Sequence, residues 1–150
     1  MNIALIFPGQ GSQYIGMGKD FFDNSNISKL IFNNLDETMG VKLSDLIFNG
    51  SEEELSKTTN SQPAIMSLSI AILEEINARG LLDDKIIHSV AGHSLGEYSA
   101  LVSNNSLSFE DSVKLLIIRS EAMQKSMPIG TGGMAAVLGQ SEDEILLTIK

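Results

Sequence analysis

The sequence predicts an α/β fold built on a parallel sheet, and three observations carry that expectation. Residues 3–7 form a continuous apolar run stopped by Pro8-Gly9, the pattern of a buried, parallel strand. Residues 86–91 form a second apolar run, which leads into Gly92-His93-Ser94-Leu95-Gly96 and a helix-like stretch over 97–102. Longer stretches with helical patterning alternate with these short runs.

Each element has its own warrant along the chain. A Gly/Gln/Ser loop over residues 8–18 follows the first strand. Residues 20–39 read as helix, with a break near Asn24-Ser25-Asn26. Ser44 and Ser51 both fit helix N-caps, and Ser51-x-x-Glu54 is a capping box. Pro63 suits the first turn of a helix ending at Gly80, with Ala64, Leu68, Ala71, Ile72 and Ile76 near helical spacing. Ser108-x-x-Asp111 opens another helix, which runs to about Met127. Pro128-Ile129-Gly130-Thr131-Gly132-Gly133 reads as a hinge or subdomain boundary. Residues 134–138 read as a strand, and Ser141-x-x-Glu144 caps a helix still running at Lys150. One strand and one helix do not make a stable subdomain. The chain is therefore expected to be a fragment of a longer protein.

Composition narrows the function classes. At 150 residues the chain is long enough for one domain with a core, and its 43% apolar share is ordinary for a globular protein. Ten basic residues face nineteen acidic ones, for a formal charge of −9, which argues against nucleic acid as a partner. The absence of cysteine removes disulfides, thiolate metal sites and a cysteine nucleophile, and fits a reducing compartment. No basic leader opens the chain and no apolar stretch approaches a bilayer span, so we expect a cytoplasmic protein with no membrane association. We expect a monomer.

The chemistry centres on Gly92-x-Ser94-x-Gly96. A serine on a tight strand-to-helix turn has its hydroxyl lifted out of the fold, over the positive end of a helix dipole and beside free backbone N–H groups. Gly92 and Gly96 fit because a side chain at either place would meet the turn or the neighbouring strand. Ser94 is accordingly the candidate nucleophile; the plainer reading is a turn serine at a helix N-cap. A serine needs a base. His93 is adjacent and badly directed, and His88 reads as a strand residue, so the base is expected beyond Lys150. Arg119 lies in a helix among Leu115, Leu116, Ile117, Ile118 and Met123. A semi-buried guanidinium needs an anion, which could be a substrate carboxylate, Glu121 or Glu97; an outward-facing arginine is the remaining reading. Gln10, in a Gly-flanked turn after the first strand, is a candidate second oxyanion donor or simply a loop residue. The turn lacks the spacing and lysine of a phosphate-binding loop.

Five ordered segments resemble one family. They are Phe7-Pro8-Gly9-Gln10-Gly11-Ser12-Gln13, Thr59-x-Ser61-Gln62-Pro63-Ala64, Gly92-His93-Ser94-Leu95-Gly96-Glu97-Tyr98, Arg119-x-x-x-Met123 and Gly130-Thr131-Gly132-x-Met134-Ala135-Ala136-Val137. Together they look like malonyl-CoA:acyl carrier protein transacylases and the acyltransferase domains of fatty acid and polyketide synthesis. The resemblance implies an α/β-hydrolase-like core with a nucleophile elbow (residues 1–128). It also implies the start of an inserted ferredoxin-like small subdomain (residues 129–150). It implies that Ser94 attacks malonyl-CoA to form an acyl-serine, and that the phosphopantetheine thiol of acyl carrier protein takes the acyl group. Backbone N–H groups of Gln10 and Leu95 would form the oxyanion hole. Arg119 would hold the malonyl carboxylate, and His93 and Gln62 would line the pocket. Leu95 resembles the residue of malonyl-selective members. No metal or redox cofactor is implied. The family's general-base histidine follows the insert and has no counterpart here, so this stretch alone is expected to be inactive. Carrier proteins are acidic, as this chain is, so a basic docking patch is expected to be local or to lie outside residues 1–150.

Two other readings compete. A serine esterase or patatin-type hydrolase rests on the elbow alone and predicts no dependence on Arg119. A non-catalytic, truncated malonyl-CoA-binding module is motivated by the lack of a later histidine.

Overall fold

Phe7 and Gly92 stand opposite each other at the end of a two-stranded parallel sheet. The structure, a computed structural model, describes residues 2–127, 130–132 and 137–148. Strand β1 (Asn2–Phe7) pairs with β2 (Ile86–Gly92), and the register slips once, between Ile3 and Ala4. Ile3 faces Ile87 and Ala4 faces Ser89, so His88 is the unopposed residue of a bulge. A parallel pair requires a long crossover. Here it consists of α1 (Lys19–Asn24), α2 (Asn26–Met39), α3 (Leu43–Asn49), α4 (Glu52–Ser56) and α5 (Thr58–Ala78). After β2 come α6 (Gly96–Ser103), α7 (Phe109–Ser126) and α8 (Glu142–Thr148).

The main core lies among the helices rather than on the sheet. Phe32 and Leu35 of α2, Ile47 of α3, Met66 of α5, and Val113 and Leu116 of α7 are fully buried together. Phe22, Phe32 and Phe48 pack ring to ring at the α1–α2–α3 junction, with centroids 5.0 to 6.0 Å apart. A smaller cluster of Phe7, Leu73 and Ala100 joins the end of β1 to α5 and α6.

Both strands lie where the apolar runs predicted, but β1 is not buried on both faces. Ile3, Leu5 and Phe7 face the helices, whereas Asn2, Ala4 and Ile6 are exposed, Ile6 by 79%. That alternation marks a sheet covered on one side only among the described elements.

The break between α1 and α2 falls at Ser25, whose hydroxyl accepts from the amides of Ile27 and Ser28. Ser51 and Ser108 cap α4 and α7 as the sequence predicts, accepting from Glu54 and Asp111 respectively. Ser141 and Glu144 close a reciprocal capping box at the start of α8.

Ser44 is not an N-cap. It lies inside α3, and its amide and hydroxyl both donate to Asp36 of α2, at 2.9 and 2.6 Å. A buried carboxylate distant in sequence caps this helix instead. Pro63 is not in the first turn of α5 either, because the helix begins at Thr58, five residues earlier. Thr58, Thr59, Asn60 and Ser61 are weak helix formers, yet burial of Ser61 and Gln62 holds the segment helical. Of the expected hinge (128–133) and strand (134–138), residues 128, 129 and 133–136 lie outside the described residues, as does the end of the last helix at Lys150. No helix among the described residues is long and apolar enough to cross a membrane.

Candidate functional site

The site begins with a steric constraint. A Cβ on Gly92 would run into the backbone of Gly96 and Glu97, and one on Gly96 would lie 2.5 Å from the Phe7 carbonyl oxygen and 2.7 Å from that of Pro8. Gly92 thus lets the strand-to-helix turn close on itself, and Gly96 lets it press against the end of β1. The His93 amide donates to the Phe7 carbonyl at 3.0 Å, tying the turn to the neighbouring strand. The Gly96 amide then donates to the His93 carbonyl and the Glu97 amide to the Ser94 carbonyl, starting α6. Ser94 sits at the apex with φ 55°, in the left-handed region. Its side chain is exposed, at the N-terminal end of α6.

Three elements converge on that hydroxyl. Arg119, half-buried on α7, donates from Nη2 to Ser94 Oγ at 2.9 Å and from Nη1 to Gln62 Oε1 at 2.6 Å. Gln62, on α5, is completely buried, and its Nε2 donates to Met123 Sδ at 3.4 Å. None of the ion pairs among the described residues involves Arg119. Neither Glu121 nor Glu97 engages it; Glu121 pairs with Lys125. A partly desolvated cation beside an exposed hydroxyl, with only neutral partners among the described residues, is chemically prepared for an incoming anion.

Gln10 lies in the adjacent turn. Its side chain is exposed and donates to Thr58 Oγ1 at 3.2 Å, which anchors the turn to the start of α5. Among the described residues, neither the Gln10 nor the Leu95 backbone N–H has a protein acceptor. His93 is exposed and its ring occupies the space a side chain on Gly9 would fill. Neither the His93 nor the His88 ring hydrogen-bonds to Ser94; His88 is exposed on the bulge of β2.

The structure therefore brings Ser94, Arg119 and Gln62 together, and sets the turn carrying Gln10 beside the one carrying His93 and Leu95. Sequence reasoning paired Met123 with Arg119 in the Arg119-x-x-x-Met123 segment but gave it no role, and it passed over Thr58. The available signal for Met123 was its spacing: four residues after Arg119, it lies on the same face of α7.

Comparison with known proteins matches residues 4–149 to the family described as Acyl transferase domain. A malonyl CoA-acyl carrier protein transacylase of Bacillus subtilis (strain 168) is 48% identical over 143 residues, covering 95% of this chain and 44% of the relative. Among solved structures, an acyl-carrier-protein-S-malonyltransferase from Bartonella henselae superposes with a TM-score of 0.89 at 42% identity, over 98% of this chain and 47% of that one. A malonyl-transacylase solved in complex with a type II PKS acyl-carrier protein superposes with a TM-score of 0.79 at 38% identity, covering 85% and 40%. The chain spans less than half the length of these relatives.

Proposed function

The chain belongs to the acyl transferase domain family, and from that premise we propose that it carries the nucleophile and the acyl-selecting half of a malonyl-CoA:acyl carrier protein S-malonyltransferase. One observation carries the reading: the Arg119 guanidinium, free of any carboxylate partner among the described residues, stands 2.9 Å from Ser94 Oγ.

Ser94 Oγ attacks the thioester carbonyl of malonyl-CoA. The new O–C bond replaces the C–S bond, and coenzyme A leaves as the thiol. The serine proton passes through a base to the departing sulfur. That base is a histidine from the part of the relatives' length that residues 1–150 do not span. The tetrahedral oxyanion is met by the N–H groups of Leu95 and Gln10, which have no protein acceptor among the described residues. Arg119 takes the free carboxylate through two parallel N–H···O bonds, giving preference for a charged three-carbon acyl group over acetyl. In the second half-reaction the phosphopantetheine thiol of acyl carrier protein attacks the acyl-serine, and its proton returns to Ser94 Oγ. His93 borders the pocket.

On this reading residues 1–128 are the N-terminal part of an α/β-hydrolase-like subdomain, with Ser94 on its nucleophile elbow, and residues 129–150 begin a ferredoxin-like insert. The enzyme works in the cytoplasm, in fatty acid or polyketide assembly. A plain hydrolase would leave Arg119 without a task.

The test is to incubate the full-length protein carrying these residues with labelled malonyl-CoA and digest it. We expect label on the peptide containing Ser94 and release of the label by acyl carrier protein. An unlabelled Ser94 peptide would refute the reading.

A further inference from the structure

Arg119 has a long side chain, and one bond to a neutral, exposed hydroxyl does not explain why its tip stays at Ser94. The second bond does. Gln62 Oε1 is fully buried, so water does not compete for it, and it accepts from Nη1 at 2.6 Å. A guanidinium has donors only, so the amide must present its oxygen to it. The amide N–H₂ then points the other way and needs an acceptor, since a buried donor left unpaired is costly. That acceptor is Met123 Sδ, a thioether that accepts and cannot donate. Turning the amide over would set oxygen against sulfur and N–H₂ against guanidinium. One face of α7 therefore supplies both the cation and, a turn later, the group that keys the amide holding it.

We propose that Gln62 and Met123 are positioning residues: Met123 fixes the Gln62 amide, and the amide aims Arg119 at Ser94. The proposal rests on the transferase reading above. It differs in one respect from the expectation that Gln62 lines the pocket, because here the residue acts through Arg119 rather than on the acyl group.

The experiment compares malonyl-CoA with acetyl-CoA as donors for the full-length protein, using the ratio of kcat/KM values. Gln62→Leu should lower that ratio roughly tenfold to a hundredfold, the size expected for a lost bond to a charged group, and Met123→Leu about threefold. In an Arg119→Ala background neither substitution should change the ratio further. An unchanged ratio in both single variants, or an undiminished effect without Arg119, would overturn the proposal. If Gln62→Leu does not fold, the half-buried Met123→Leu carries the test. Arg119→Ala separates the two claims: if it leaves the ratio intact, the transferase reading of Arg119 fails. If it collapses the ratio while Gln62 and Met123 variants do not, only the positioning proposal fails.

Discussion

Arg119 and Ser94, 25 residues apart in sequence, meet at 2.9 Å because α7 packs along α5 and the strand-to-helix turn ends over both. The guanidinium thus spans two elements, bonding Gln62 with one nitrogen and Ser94 with the other.

Replacing Arg119 by lysine keeps the charge and removes the fork. Lysine presents a single ammonium and cannot bond Gln62, Ser94 and a carboxylate in one plane. We expect kcat/KM for malonyl-CoA to fall roughly tenfold to a hundredfold, with the melting temperature of the protein little changed. Steady-state transfer assays alongside thermal melts check both halves.

Gly96→Ala should disrupt the turn itself. The added methyl would press on the backbone carbonyls of Phe7 and Pro8, which have no side-chain freedom with which to yield. Overpacking of this kind costs about 1–3 kcal/mol, read as a lower denaturant midpoint, and it should displace Ser94 enough to abolish acylation. Wild-type labelling in this variant would show that the close approach is dispensable.

Glu75 gives the fold an acid-side weakness. The Ser25 hydroxyl, then Ser28 and Arg79, hold its carboxyl below the ordinary glutamate value, outweighing the opposing effect of burial. A depressed folded pKa means that the ionised form is favoured by folding. This stability is complete above the ordinary carboxylate range and is lost as pH falls through the folded value. Denaturant melts from neutral pH downward should show wild type and Glu75→Gln converging toward the acid end. Parallel curves would count against the linkage.

The two strands, the Ser25 break, three serine caps and the central turn were legible because each rests on local rules: apolar runs, capping hydroxyls, and glycines where backbones touch. What escaped depends on contacts between distant segments. Asp36 takes over the cap of α3 from eight residues away, which no reading of Ser44 alone could reveal. The exposure of Ile6 reflects which layers cover β1, not the run of apolar letters in it. At the site, Arg119 left its partner open among several candidates, and only packing of α5 against α7 showed that Gln62 stands behind it. Met123 was invisible as a hydrogen-bond acceptor, since a thioether in an apolar stretch looks like filler.

Ser94 holds a backbone shape that L-residues resist, at φ 55°. Such a posture costs about 1–2 kcal/mol for a residue with a Cβ. Swapping in glycine would relieve it, so Ser94→Gly should withstand denaturant at least as well as the parent while forming no acyl adduct. A sturdier but inert chain is a single substitution away, and a hydroxyl at that crest endures only as long as selection on turnover outweighs the tension it imposes.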